Sequence, residues 1–259
     1  MSREEARPGR VGGFRRAGGT LFAALYGQLL PHPGNNPDPD RDVYIRFHDR
    51  ALAMGWLDDG VAGLWGMNDA GREHPLAVPG SSLVAWFQVG VEPVPGDRPL
   101  PVQPFLRCAG DVLARLGDLR LWTVQVLLPV QALDTAARPE AARMPSLRTA
   151  AWFDDGGPRS GTPVLVTLDG RQSPARLREE MDRLDQDVFV CEPSVDPGPP
   201  PAPPLPDHLW RPGHRVTFGG TLAEWSLDAI GWLGGFLADL SARRGVGTPL
   251  LLTVSRRES

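Results

Sequence analysis

The C-terminal part of the chain contains two consecutive segments that both have to be buried. From Trp225 to Arg243, large apolar residues occupy nearly the whole circumference of a helix, and TPLLLTVSR at 248–256 contains a continuous apolar run. A helix that is apolar on most sides must be covered by other elements. A strand with a continuous apolar run is typical of a sheet interior, where both faces are covered. This pair predicts a layered domain with an internal last strand.

Apolar patterns in the rest of the chain predict alternating strands and helices. Period-two alternation or short apolar runs predict strands at 42–49, 51–57, 61–67, 81–93, 119–130, 147–153, 162–168, 187–193 and 215–223. Apolar stripes at helical spacing predict helices at 105–117 and 173–184. We therefore predict an α+β fold with a mixed or antiparallel sheet and three or four helices packed mainly on one face.

The order strand, helix, strand recurs at 81–130, 162–192 and 214–256, as in split βαβ units. Two pairs of similar peptides raise the question of a repeat. WLDDG and WFDDG begin 96 residues apart, whereas TPVLVTL and TPLLLTV begin 86 residues apart. Because no single offset relates both pairs, the sequence favours recurrent hairpins and strands over a tandem duplication.

Residues 1–41 are predicted to form an N-terminal arm with a short helix. The apolar run Thr20–Leu30 suits a helix that docks on the body, and the residues before it are rich in Gly and Arg. Arg15 and Arg16 precede this run in the manner of a weak export signal, but no small-residue cleavage site follows it.

Residues 42–259 are predicted to form a single α+β domain, either undivided or built from two packed halves at about 42–130 and 146–259. The domain contains a proline-rich loop at 193–213, whose proline density demands extended backbone geometry.

The chain contains no lysine, so all 27 of its basic residues are arginine. Schiff-base catalysis, anchoring of pyridoxal phosphate and phosphate binding by a P-loop all need a primary amine, which excludes these classes. The formal net charge of -4 gives no electrostatic reason to expect a nucleic-acid partner. We predict no cofactor and no nucleic-acid partner, and the residue bias is typical of a GC-rich bacterial genome.

The location is predicted from the cysteines and from the longest apolar segment. Cys108 and Cys191 are too few for a disulfide framework, which favours a reducing, cytoplasmic compartment. The segment 225–240 carries Asp228 and Asp239 and is too short to cross a bilayer, so we predict no membrane partner.

Acidic residues and histidines give no local metal site. The acid pairs Asp58/Asp59 and Asp154/Asp155 each precede a glycine, which favours hairpin turns over converging carboxylates. PDPDRD at 37–42 has the opening spacing of a calcium loop but lacks its turn glycine and closing glutamate. The five histidines form no paired ligand motif, so we predict no metal.

Our leading functional hypothesis is an accessory or regulatory protein that acts through protein–protein contacts. Trp210 lies with His208 and Arg211 at the end of the proline-rich stretch, where it either fixes that loop to the body or contacts a partner. Arg215 follows as a further contact residue. We expect a protein partner, and a homodimer is one form of this hypothesis.

The alternative hypothesis is a lysine-independent enzyme or a small-molecule-binding protein. Its cleft would lie between the sheet and the last helix. The residues that would serve catalysis are His48, Asp49, His214 and Glu224, together with Arg215.

Overall fold

The computed structural model describes residues 17–33, 39–57, 63–134, 161–171, 177, 181, 188–192 and 200–257. In this part of the chain, eight strands form one antiparallel sheet. The strands are β1 (Gly19–Pro31), β2 (Gly66–Gly71), β3 (Leu83–Val91), β4 (Gly117–Leu128), β5 (Thr162–Gly170), β6 (Phe189–Glu192), β7 (His214–Leu222) and β8 (Leu250–Arg256). The helices are α1 (Pro39–Ala53), α2 (Val102–Leu116) and α3 (Leu227–Arg243), with a short 3-10 turn at Val130–Ala132. The predicted α+β class is confirmed.

The sheet consists of two copies of one arrangement. Its order is β2-β3-β1-β4-β8-β5-β7-β6, so the first half reads β2-β3-β1-β4 and the second, from the opposite edge, reads β6-β7-β5-β8. Leu177 and Met181, between β5 and β6, are also helical. Each half therefore follows the βαββαβ order of a ferredoxin-like motif, in which each βαβ unit is split by an antiparallel strand. The halves join where β4 pairs with β8, with Val126 opposite Leu252.

The strand topology repeats although no single sequence offset relates the two halves. Equivalent connections differ in length: residues 92–101 join β3 to α2, whereas only 223–226 join β7 to α3. Unequal connections prevent a constant sequence offset between the halves. The similar peptides TPVLVTL and TPLLLTV belong to β5 and β8, which pair with each other and are not equivalent strands.

Two elements near the N-terminus differ from the prediction. The run Thr20–Leu30, predicted as a short helix, belongs to strand β1, which lies between β3 and β4. Leu21, Ala23 and Leu25 face the helices, whereas alternate residues of β1 face a second apolar cluster on the other side of the sheet. Both faces are covered, and a short continuous apolar run does not distinguish such a strand from a buried helix.

The segment 42–49, predicted as a strand, lies inside α1, and the strand expected at 51–57 begins within the same helix. Val43, Phe47 and Ala51 are all buried and recur every four residues, so the helical period was also present in the sequence. Val43 and Phe47 are four residues apart, a spacing that fits both the two-residue period of a strand and the period of a helix. The packing of this segment on α2 and β2 favours the helix.

The predictions for β3, α2, β4, β5, β6, β7, α3 and β8 are confirmed in type and approximate position. The acid pairs, the strand at 147–153 and most of the helix at 173–184 lie outside the described residues.

The three helices pack on the same face of the sheet. Buried residues of α1, α2 and α3, together with Leu177 and Met181, form one cluster with the inward residues of the strands. At the centre of this layer, α2 packs closely on α3, because a Cβ at Gly231 would lie 2.7 Å from the Cα of Gln103. The predicted packing of the helices on one face is consistent with this layer.

We predict opposite effects for two glycine substitutions one turn apart in α3. Gly231→Ala should destabilise the protein by about 1–3 kcal/mol, because the added methyl group meets backbone atoms of α2. Gly235→Ala should stabilise it by about 0.5–1 kcal/mol, because the nearest atom to its Cβ, the Leu100 carbonyl oxygen, is 3.6 Å away and helical glycine is entropically unfavourable. Urea unfolding of both variants measures the difference, and equal stabilities would contradict the close α2–α3 contact.

Candidate functional site

The described end of the proline-rich loop, residues 200–213, lies on the face of the sheet opposite the helices. We call this segment the proline strap. Its apolar side chains Leu205, Leu209 and Trp210 pack against a buried cluster formed by Phe22, Ala24, Tyr26 and Leu127. The strap is therefore a structural layer over the central strands.

Polar contacts from buried side chains fix the beginning of the strap. The Gln125 side chain, fully buried on β4, donates from Nε2 to the Pro201 carbonyl oxygen at 2.6 Å. The Tyr26 hydroxyl donates to Gln125 Oε1 at 2.9 Å. Burial raises the pKa of Tyr26 to about 12, so this hydroxyl remains a donor at neutral pH.

Trp210 and Arg215 hold the end of the strap through Asp169 on β5. Trp210 Nε1 donates to the Asp169 carbonyl oxygen at 3.2 Å. The Asp169 carboxylate, whose side chain is 5% exposed, accepts from the Gly213 backbone N–H at 3.0 Å and from Arg215 Nε at 2.9 Å. These two predicted contact residues thus bind the protein's own body.

The other two predicted contact residues lie on the surface. His208 and Arg211 are exposed, and Arg211 Nε donates to the Asp207 carbonyl oxygen at 3.2 Å. The strap therefore divides into an inner set of packed residues and an outer set facing solvent.

Trp210→Ala should lower the free energy of unfolding by about 2 kcal/mol, because a half-buried Trp loses its packing and its hydrogen bond to Asp169. His208→Ala, two residues away and exposed, is the matched control and should change stability by less than about 0.5 kcal/mol. Urea unfolding with intrinsic fluorescence and far-UV circular dichroism measures both. If Trp210→Ala unfolded like the wild type, the strap would not be a structural layer.

The residues predicted for catalysis lie on widely separated elements. His48 and Asp49 are neighbours on α1, with His48 Nδ1 3.4 Å from Asp49 Oδ1, and α1 packs on β2 and α2. His214 begins β7, which lies six strand positions from β2, a separation of about 29 Å at about 4.8 Å per strand. The structure therefore does not bring these histidines into one site.

Glu224 and Arg215 have contacts of their own. Glu224 Oε1 accepts a hydrogen bond from Ser226 Oγ, and that hydroxyl in turn accepts from the Ala229 backbone N–H at the start of α3. Such contacts are typical of a helix N-terminus. Arg215 forms the ion pair with Asp169 on the strap side of the sheet.

A preformed apolar pocket lies between the β3–α2 connection and α3. We call it the Trp232 pocket; its volume is about 380 Å³. Its lining residues are Gly63, Leu64, Glu92, Pro93, Val94, Pro95, Arg98, Pro99, Leu100, Pro101, Gln103, Pro104, Gly231, Trp232 and Gly235. The sequence signal in this segment is its dense prolines at 93–104, a pattern that indicates a loop but not a pocket.

The pocket arises where the two halves of the molecule differ. Ten residues, 92–101, join β3 to α2, and many of them form the pocket wall. The equivalent connection in the second half, 223–226, has only four residues. The longer connection of the first half is thus what creates a wall over α3.

The floor of the pocket contains a tryptophan with an unused donor. Trp232 is 3% exposed and stacks on Phe236, with ring centroids 5.0 Å apart and an angle of 16° between the rings. Its Nε1 has no hydrogen-bond partner in the described part of the chain. An unpaired buried N–H carries a desolvation penalty, and this Nε1 is enclosed by protein atoms.

Ionisable groups are few in the described lining of the pocket. This lining has no Ser, Thr, Cys, His, Tyr or Asp, and its charged residues are Arg98 and Glu92, whose carboxylate is the one group typical of acid–base catalysis. Elsewhere, burial raises the pKa of the Cys108 thiol to about 12, which keeps it protonated. Among the described residues, no group of three His, Cys, Asp or Glu side chains is placed to hold a metal ion.

His74 is an ionisable residue packed against the strap-side cluster. Its ring lies 4.9 Å from the Trp86 ring and 5.8 Å from the Phe22 ring, and its Nδ1 accepts from the Leu76 backbone N–H at 3.2 Å. Burial lowers the pKa of His74, and the charge of Asp69 opposes part of this effect. The neutral imidazole is therefore the form that suits the fold.

Stability should fall as the pH decreases below the ordinary histidine pKa of 6.5. Below this pH the unfolded chain takes up a proton at His74 more readily than the folded chain, which favours unfolding. Above this pH His74 is neutral in both states, and its packing contributes fully to the free energy of unfolding. Urea unfolding between pH 8 and pH 5 measures the slope, and His74→Phe, which keeps an aromatic ring, should make it shallower. An imidazole titration by NMR at or above pH 6.5 would contradict this assignment.

Fold and pocket together define the class of this protein: two ferredoxin-like halves share one sheet, and a preformed apolar pocket lies beside the last helix. The chain matches no protein-family model, and no curated protein or solved structure is detectably similar to it. None of the helices in the described ranges is long and apolar enough to span a membrane.

Proposed function

We propose that the protein is a non-catalytic binding protein whose Trp232 pocket holds the apolar part of a small molecule. The observation that carries this proposal is the pocket itself, which is preformed and largely apolar, with Glu92 and Arg98 as the charged residues of its described lining. Its volume of about 380 Å³ falls within the range of small-molecule sites, about 300–1,000 Å³.

This proposal keeps the alternative hypothesis of a small-molecule-binding protein but assigns the ligand to different residues. The cleft lies beside the last helix, but its wall is the 92–101 connection, and His48, Asp49, His214 and Glu224 are absent from its lining. The expectation of a protein partner, and of a homodimer, stays a prediction. Packing of Leu205, Leu209 and Trp210 on the sheet means that the inner side of the strap is already occupied.

The affinity expected for a small fragment sets the conditions of the test. An aromatic ring that buries about 150 Å² of apolar surface gains about 4 kcal/mol before the cost of association, so a dissociation constant of about 1 mM is the tightest expected for such a fragment. Fragments should therefore be screened at millimolar concentration.

Gly235→Leu should abolish fragment binding, because its side chain extends from the pocket floor where the glycine leaves space. Binding is measured by the chemical shift of the Trp232 indole N–H, assigned by comparison with Trp232→Phe, and by thermal shift with the same fragments. Gly235→Ala is the control for a folded helix and should retain weaker binding.

Two results would overturn the proposed function. One is that no neutral aromatic fragment binds the wild type at millimolar concentration. The other is that fragments bind Gly235→Leu as tightly as the wild type, which would place them elsewhere on the protein.

A further inference from the structure

We infer that residues 1–16 of this chain regulate the Trp232 pocket by placing the Phe14 side chain inside it. We call these residues the N-terminal segment; they lie outside the described residues. The inference rests on the proposed function, since it names the occupant that a small molecule must displace from the same site. Three observations support it: the position at which the described chain begins, the composition of the segment and the charges of the two parts.

The described chain begins at Ala17, next to the wall of the pocket. Gly19 pairs with the last residue of β3, and a Cβ at Gly18 would lie 3.5 Å from the Cα of Glu92. Glu92 is the first residue of the 92–101 connection and lines the pocket. The N-terminal segment therefore joins the body of the protein beside the pocket wall.

Phe14 is close enough along the chain to reach the interior of the pocket. It precedes Gly18 by four positions, and an extended chain spans at most about 3.6 Å per residue, so the two Cα atoms can lie up to about 14 Å apart. This reach exceeds the roughly 9 Å width of a compact cavity of about 380 Å³.

The composition of the N-terminal segment singles out Phe14 as the occupant. Phe14 is its one aromatic residue, and apart from Met1 and Val11 the other residues are Arg, Glu, Gly, Ser, Ala and Pro. The pocket lining is dominated by proline, leucine, valine and tryptophan, which suits an apolar ring. Burial of the Phe14 side chain there is favourable because its apolar surface leaves water.

The charges of the N-terminal segment complement those of the body. The segment contains five Arg and two Glu, whereas the rest of the chain contains 22 Arg and 29 acidic residues. A cationic segment is therefore attached to an anionic body, which attracts it. Arg16 precedes Gly18 by two positions, so its long side chain is within reach of the exposed Glu92. Arg98, the cation of the described lining, already has a partner within the protein.

The tether makes a weak contact effective. A group on a short linker has an effective concentration in the millimolar range at a site that the linker can reach. An effective concentration of about 4 mM, set against a dissociation constant of about 1 mM for an aromatic group, weakens a competing fragment about fivefold. Such a fragment still binds the wild type within the range of a millimolar titration.

Phe14→Ala in the full chain should strengthen the binding of benzyl alcohol, a neutral and water-soluble aromatic probe, about fivefold, because the internal competitor is lost. Binding is titrated by the shift of the Trp232 indole N–H and by thermal shift. Phe14→Leu keeps an apolar side chain and should stay close to the wild type. Val11→Ala, which truncates a more distant apolar residue of the same segment, is the matched control and should leave the affinity unchanged.

A second measurement detects the occupant directly. In the wild type without a probe, a ring-labelled Phe14 should show nuclear Overhauser effects to protons of the lining prolines, Pro93 and Pro99 among them. These effects should disappear when benzyl alcohol is added in excess, because the probe and the Phe14 ring compete for one site.

Three outcomes count against the inference. If the wild type and Phe14→Ala bind benzyl alcohol equally, or if the Phe14 ring shows no such effect, the regulatory role of the segment is overturned while the proposed binding function stands. If the difference between the two proteins depends on protein concentration, Phe14 comes from a second copy, and occupancy within one chain is wrong. If benzyl alcohol binds neither protein, the proposed function fails, and this inference fails with it.

Discussion

The antiparallel pairing of β4 with β8 is the interaction on which the rest of the structure depends. It joins two four-stranded halves into one sheet, and the packing of α2 on α3 covers the junction on the helical face. The small Gly231 permits that packing, because any side chain there would meet the backbone of α2. Without this junction each half would expose an apolar strand edge, which favours aggregation.

The two faces of the sheet are covered in different ways. Helices cover one face with a large apolar core, whereas the other is covered by the 72–82 connection, which carries His74, and by the proline strap. These two connections are equivalent in the two halves, since each joins the second strand to the third. Proline suits this role because an extended segment without regular backbone hydrogen bonds loses less entropy when its φ angles are already restricted.

The candidate site arises from the difference between the halves. Topology repeats, but the connection before the second helix is ten residues long in one half and four in the other. The longer one stands over Gly235 and Trp232 and forms a wall of the cavity. A binding site located at such an insertion leaves the packing of the repeated core undisturbed, because loops tolerate added length far better than cores tolerate added volume.

The sequence by itself determined the elements with strong periodicity or long apolar runs, such as α2, β4, α3 and β8. In these elements the spacing of the apolar residues along the chain shows which sides are buried. It could not distinguish strand from helix at Thr20–Leu30, where both faces are buried, or at Val43 and Phe47, where both periods fit. Only the tertiary structure decided the repeated topology, the inward orientation of Trp210 and the pocket at Trp232. Those features depend on residues more than a hundred positions apart, and nothing in local spacing encodes which distant backbones approach each other.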